Sequence, residues 1–260
     1  MTPMIEVRVN ITNPGQFFAC CGLFELAHRV SQGCRATFTS DGRFQIASLP
    51  GSTAAEIGPL IAALREVRFG VISPDDLAAT PLHLPEPFDL RLDWWNDDQS
   101  RGAELKTWAG QQKVTRIAEA MQATLLEDIV SGETLFDSNA VLYEAGSRTK
   151  KVEPFYFDSR RAAQAHAIDI GFSPDTQAME MPVHSAVELL CLVGLQRFRP
   201  RVNEDRSRTY RVWRSPMPIV AAAAIASCGA EMPNASDYRF RLLYRTKYLK
   251  GFLPSLPEGE

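Results

Sequence analysis

Residues 5–30 place the tightest constraint on this 260-residue chain, because an alternating strand runs directly into a helix there. Ile5, Val7, Val9 and Ile11 alternate with Glu6, Arg8 and Asn10, the period of a strand with one buried face. The strand meets Thr12-Asn13-Pro14-Gly15. Asn13 is a good N-cap, and Pro14 suits the first helical position, where its missing N–H costs nothing. Phe17, Cys21, Phe24 and His28 then fall on one helical stripe, with Phe18, Leu26 and Val30 beside it. Gly33 is expected to end the helix.

Two short strands are expected near 35–39 and 43–47, with a turn at Asp41-Gly42. A helix near 53–67 follows, interrupted by Gly58-Pro59, and residues 74–87 are a proline-rich surface connection. Phe88, Leu90, Leu92 and Trp94 alternate with Asp89, Arg91 and Asp93 as a second clear strand. Val114, Ile117, Met121, Leu125 and Ile129 line one face of an amphipathic helix over 109–130. Pro182 to Leu195 is apolar nearly all round and predicts a buried central helix. Residues 148–180 read as loop with short strands such as 153–157, and Tyr238 to Tyr244 as a last strand. The pattern predicts an α+β fold, a mixed or antiparallel sheet with packed helices. An acidic part, 1–140, and a basic part, 141–260, divide the chain into two α+β units or one continuous domain.

With 45% hydrophobic and 23% charged residues, the chain can bury a sizeable core. The N-terminus lacks the basic start and apolar run of a signal peptide, and Leu189 to Leu195 is far too short to span a bilayer. Five cysteines, with Cys20 and Cys21 adjacent and Cys34, Cys191 and Cys228 alone, form no CxxC. Neither a disulfide framework nor a zinc site is expected, and the reading is a reducing cytoplasm.

Catalytic signatures are missing from the sequence. There is no GxSxG, P-loop or GxGxxG. Among four histidines, His28 sits on the stripe of the first helix and His83 between prolines. His166 with Asp169 and His184 with Glu188 have helical spacing, but neither pair is a metal signature. Asp75-Asp76 and Asp97-Asp98 read as solvated loop charge. No cofactor and no metal are expected. Metal-free RNA cleavage with His166 or His184 as general base is the enzymatic alternative.

The net charge of −3 argues against nucleic acid, but its distribution does not. Residues 1–140 hold 11 Lys/Arg against 18 Asp/Glu, whereas 141–260 hold 17 against 13. A phosphate backbone requires a local positive surface, not a basic average. Residues 196–214 carry seven arginines, Arg206, Arg208, Arg211 and Arg214 among them, against Glu204 and Asp205. If 197–201 is extended, Arg197, Arg199 and Arg201 share one face. Residues 238–252 hold Arg239, Arg241, Arg245, Lys247 and Lys250 with no acid. On that strand Arg239, Arg241 and Arg245 share a face opposite Tyr238, Phe240, Leu242 and Tyr244. Arginine pairs bidentately with phosphate and stacks on bases. It is also enriched at protein interfaces, which keeps a protein-only adaptor open. Trp94 is expected in the core and Trp95 on the opposite face. Lys106 and Trp108 precede the long helix, where a lysine and a stacking aromatic suit a nucleic acid. Lys150, Lys151, Arg160 and Arg161 flank the aromatic stretch EPFYFD.

Several segments together resemble a known family. NPGQFFACCGLFELAHR, LRLDWW, LKTWAGQQ, KKVEPFYFD, GFSPD and VELLCLVGLQRFRPR are similar to the third Csb protein of type I-U CRISPR systems, also called type I-G. The resemblance runs from residue 5 to about 252, and the strand–Asn-Pro–helix opening is similar to the start of Cascade large subunits. It implies a non-catalytic subunit of an RNA-guided interference complex, assembled with a backbone protein, a repeat-processing protein and CRISPR RNA. In such a complex the guide reads sequence while protein reads shape, backbone and the motif beside the target. The expected partners are CRISPR RNA or target DNA and the other effector subunits, with no membrane. No site residue follows from the resemblance; the arginines, lysines and Trp108 above rest on charge and aromatic placement.

Overall fold

Asn13 caps helix α1, Pro14–Val30, by accepting the Gln16 N–H on its side-chain oxygen at 3.4 Å, and strand β1, Ile5–Arg8, leads into it. A computed structural model of the chain describes residues 5–49, 55–72, 80–93, 96–97, 103–104, 113–125, 132–161, 182–245 and 248–258. The side chains of 96–97, 103–104, 244–245 and 248–250 fall outside that description. Helix α1 is buried on every side from Pro14 to Ala27. It ends before Gly33: Ser31 turns extended and donates its N–H to the Ala27 carbonyl, while Gly33 takes φ +85° in the next turn.

Strands β2, Arg35–Phe38, and β3, Arg43–Ala47, form the expected hairpin, with Gly42 at φ +80°. Gly58-Pro59 begin rather than break helix α2, Ile57–Glu66, because a proline in the first turn forfeits no helical hydrogen bond. Strands β4, Gly70–Val71, β5, Leu82–Leu84, and β6, Leu90–Leu92, make a small sheet. The expected strand at Phe88 starts only at Leu90, because Phe88 lies in a turn that Asp89 leaves at φ +45°. Phe88 is nevertheless buried, so its apolar pattern reported burial and not strand. Strands β7, Asn96–Asp97, and β8, Ala103–Glu104, pair with each other. Helix α3, Val114–Ala123, is the described part of the amphipathic segment; residues 109–112 and 126–130 lie outside the described residues.

Helix α4, Ser185–Arg197, is the buried central helix. After it come β9, Arg201–Val202, β10, Arg208–Val212, β11, Met217–Pro218, and helix α5, Ile219–Ala226. Strands β12, Ser236–Phe240, β13, Leu242–Arg245, β14, Tyr248–Phe252, and β15, Leu256–Pro257, complete the chain. Two four-stranded sheets run in the orders β1-β3-β2-β11 and β15-β12-β10-β9, and β13 pairs with β14. Every named strand pair is antiparallel, so the fold is α+β.

Helices α1 and α4 cross at glycines. A Cβ on Gly22 would lie 1.9 Å from the Leu190 carbonyl oxygen, and one on Gly194 2.0 Å from that of Phe18. The crossing is therefore backbone on backbone. An aromatic cluster seals one side of it. Phe17 stacks on Tyr210 at 4.2 Å and on Phe38 at 5.2 Å between ring centroids, and buried Trp213 donates to the Ala36 carbonyl at 2.8 Å. These contacts join the first sheet to residues beyond 200 in one continuous core.

Two expected strands are corrected. Residues 153–157 are irregular, with Tyr156 at φ +67°, because buried Glu188 takes the N–H groups of Phe157 and Asp158 that a strand would have spent on a neighbour. Tyr238 to Tyr244 is two strands in two sheets: Arg241 belongs to neither, and its carbonyl accepts from Leu253 at 2.9 Å. No helix among the described residues is long and apolar enough to cross a membrane.

Candidate nucleic-acid interface

Strand pairing places Arg201, Thr209, Arg239 and Leu256 in one row across β9, β10, β12 and β15. Side chains alternate across a sheet, so in the next row Arg208 and Phe240 face the core and are buried, while Val202, on the edge strand, stays exposed. Apart from exposed Leu256, the outer row is polar and built. Asn203 donates to the Thr209 hydroxyl at 2.8 Å and to that of Ser207 at 2.9 Å. Arg239 pairs with Glu258 at 3.1 Å and with Asp205 at 3.6 Å; Arg241 pairs with Asp205 at 3.0 Å. Arg201 lies 3.8 Å from Glu258 and donates to Asn203 at 3.4 Å. The Ser207 hydroxyl and N–H, then Arg239 and Arg241, hold the Asp205 carboxyl below its usual range, so this anchor stays charged. Arg199 and Arg206 are exposed in the loops on either side of β9, and Arg206 takes φ +66°.

The other expected contacts divide. Arg197, Arg199 and Arg201 do not share a strand face. Helix α4 continues through Arg197, and Phe198 is buried against Trp213 and Phe24 at 6.2 and 6.4 Å between centroids. Arg197 grips buried Glu25 through Nε at 2.5 Å and Nη2 at 3.0 Å, and Arg29 reaches the same carboxylate at 3.0 Å. Burial alone would raise the Glu25 carboxyl; hydrogen bonds and charge from Arg197 and Arg29 outweigh it and hold it low. Arg208 is corrected to the inner face, buried, donating to the carbonyls of Arg206 and Ser207. Arg211 is likewise buried and clamps Asp237 through Nε at 2.6 Å and Nη2 at 3.0 Å.

Arg160 and Arg161 are corrected too, for both serve a buried polar junction. Arg160 donates to Asp158 at 2.6 Å and to the Phe136 carbonyl at 2.8 Å. Arg161 is buried, reaching Glu153 at 3.3 Å and the Pro182 carbonyl at 3.1 Å, and covers the Tyr156 ring at 5.3 Å. Asp158 in turn accepts from the Asn13 amide at 2.7 Å, which locks the α1 cap to this segment. Lys150 and Lys151 are exposed on a separate turn. The side chains of Arg245 and Lys250, and all of Lys106, Trp108, Lys247, Trp94, Trp95, His166, Asp169 and Asp75-Asp76, lie outside the described residues.

Of the two expected histidine pairs, His184 and Glu188 do not meet, and His166 with Asp169 lies outside the described residues. His83 belongs to β5, not to a loop, and pairs with Asp89 at 3.1 Å. His184 stands at the α4 N-cap, where burial first and Arg160 second lower its pKa. Glu188, one turn on, is turned to backbone N–H groups instead of His184. Among the described residues no three His, Cys, Asp or Glu are grouped to hold a metal ion.

The buried roles of Glu25, Glu188, Asp158 and Arg211 were not anticipated from sequence, where Glu188 was expected only as a partner of His184 and Arg211 only as part of the arginine-rich segment. One signal existed: an acid alone in an all-round apolar helix, as Glu25 and Glu188 are, requires a buried partner. Comparison with protein-family models, curated proteins and solved structures finds no match for this chain.

Proposed function

We propose that this chain is a non-catalytic subunit of a type I-U (type I-G) CRISPR RNA-guided interference complex, contacting guide RNA or target DNA through the outer face of its C-terminal sheet. One observation carries the contact: Arg201, Arg239 and Arg241 converge, exposed, around Asp205 and Glu258. Each carboxylate occupies part of a guanidinium and fixes its side chain, which leaves other N–H donors toward solvent. A guanidinium held in place loses less entropy when it meets a phosphate and can still donate two parallel bonds to it. The sequence resemblance supplies the complex, and the sheet supplies the surface.

The test is the triple variant Arg201→Ala, Arg239→Ala, Arg241→Ala, checked for folding and titrated with single-stranded RNA and with duplex DNA across salt concentrations. Affinity is expected to fall, and the slope of log K against log salt to flatten by about 2–3 for duplex DNA, near 0.9 per lost phosphate contact. Unchanged binding and slope in a folded triple variant would remove the sheet from the interface. Copurification of repeat-derived guide RNA with the other effector subunits tests the complex itself; the chain recovered free of both would count against it.

A further inference from the structure

Asn203 and Ser207 close the hairpin between β9 and β10. The Asn203 N–H donates to the Ser207 carbonyl at 3.0 Å, and the Arg206 N–H donates to the Asn203 carbonyl at 2.9 Å. Residues 204–206 therefore make a three-residue loop, a turn followed by one residue in the left-handed region, and that residue is Arg206 at φ +66°. Such a position favours glycine, because a Cβ there crowds the following carbonyl oxygen. Nothing in the fold offsets the strain through the side chain: the Arg206 guanidinium is exposed and has no hydrogen bond or ion pair among the described residues. The loop around it is fixed on both sides. Asp205 accepts from the Ser207 N–H at 3.1 Å and hydroxyl at 2.5 Å, while Arg239 and Arg241 hold it from the sheet. Buried Arg208 donates to the Arg206 carbonyl at 2.9 Å from beneath. A rigid tip thus carries, at a cost in stability, a guanidinium with all five donors open. Strain kept in a loop so firmly held points to function at the strained residue.

We propose that Arg206 contacts a phosphate of the nucleic acid that lies on the arginine face, an inference that rests on the reading above. Two observations support it. The tip is continuous with the face, since Asp205, its chain neighbour, is the acid that Arg239 and Arg241 grip. Charge balance gives Arg206 a distinct part. Across residues 201–207, 239–241 and 258, Arg201, Arg239 and Arg241 stand against Glu204, Asp205 and Glu258, three cations against three anions without Arg206. Arg206 supplies the surplus positive charge of this cluster. It is also the arginine there with no carboxylate to compete with a phosphate for its planar fork.

Arg206→Gly removes the charge and the strain together, whereas Arg206→Lys keeps both. Each variant of the full chain is unfolded in urea and titrated by fluorescence anisotropy with mixed-sequence duplex DNA and single-stranded RNA across salt concentrations. Arg206→Gly is expected to raise the urea midpoint and yet weaken binding by about fivefold to tenfold. The slope of log K against log salt should flatten by about 0.9 on the duplex or 0.7 on the single strand. Arg206→Lys should keep the parent's midpoint and slope. A residue that serves only the fold would move stability and affinity in the same direction, so a lower midpoint for Arg206→Gly would overturn the proposal. A higher midpoint with unchanged affinity would take the tip out of the interface; the sheet face would still stand if the triple variant loses binding. Loss of binding in neither set would remove both. A loss that varies with sequence at unchanged slope would make Arg206 a base contact and overturn the phosphate assignment.

Discussion

Gly194→Ala is expected to destabilise the protein by about 3 kcal/mol or more, and Gly194→Val to prevent folding. The sign makes this informative. In the interior of a helix, alanine is ordinarily favoured over glycine by about 1 kcal/mol, so propensity alone predicts a gain. Here the added methyl would stand 2.0 Å from the Phe18 carbonyl oxygen and 2.7 Å from the Gly22 nitrogen, and both are backbone atoms that no rotamer change can move. Relief requires α1 and α4 to separate, which opens the core around Phe17, Phe18, Leu190 and Trp213. Gly22→Ala meets the Leu190 carbonyl at 1.9 Å and should behave alike. Since one separation relieves both clashes, the double variant should cost less than the sum of the singles. Urea unfolding of the two alanine variants decides the matter: a rise in midpoint for either would mean that the helices do not touch there.

Much of this architecture was legible because local signals and burial agree. Asn13-Pro14 marks a helix start by chemistry that needs no tertiary context, and the run from Phe17 to Ala27 is apolar enough to be buried however it is turned. The same was true of α4. The arginines misled because a period of two in charge, Arg197-Arg199-Arg201, resembles a strand face even where helical hydrogen bonds persist through Arg197. No glycine or proline stops the helix before Pro200, and the anchor that fixes its end is Phe198, whose partners Phe24 and Trp213 are remote in sequence. Charge composition likewise counts arginines without saying which are spent. Arg208 and Arg211 are buried and Arg197 is held by Glu25, whereas Arg201, Arg239 and Arg241 remain on the surface. That division follows from sheet register and from three acids, Glu25, Asp205 and Asp237, which no spacing rule pairs with them.

Glu188 carries the second large effect, one that pH reveals. Its carboxylate is fully buried in α4 and accepts the Phe157 and Asp158 N–H groups, both at 3.0 Å, and so fastens this irregular segment to the central helix. On the other side the segment meets α1 so closely that a Cβ on Gly15 would lie 2.4 Å from the Phe157 carbonyl oxygen. Burial pushes the Glu188 carboxyl up to about 7; the two N–H groups and Arg161 oppose the rise and the Asp158 charge adds to it. Between about pH 4.5 and 7 the folded protein therefore holds a proton that the unfolded chain has released. Stability contributed by this group is complete below pH 4.5, falls as pH rises, and is lost above about 7, a change of about 3 kcal/mol. Glu188→Gln cannot titrate, and its amide nitrogen must face one of the two N–H groups, at a cost of about 1–3 kcal/mol. The variant should thus be clearly weaker than the parent at pH 5 and close to it at pH 8, the gap narrowing by about 3 kcal/mol across the range. Paired urea titrations at both pH values measure that gap. A constant gap would show that Glu188 is ionised throughout and that its two N–H partners, with Arg161, suffice to hold a buried charge.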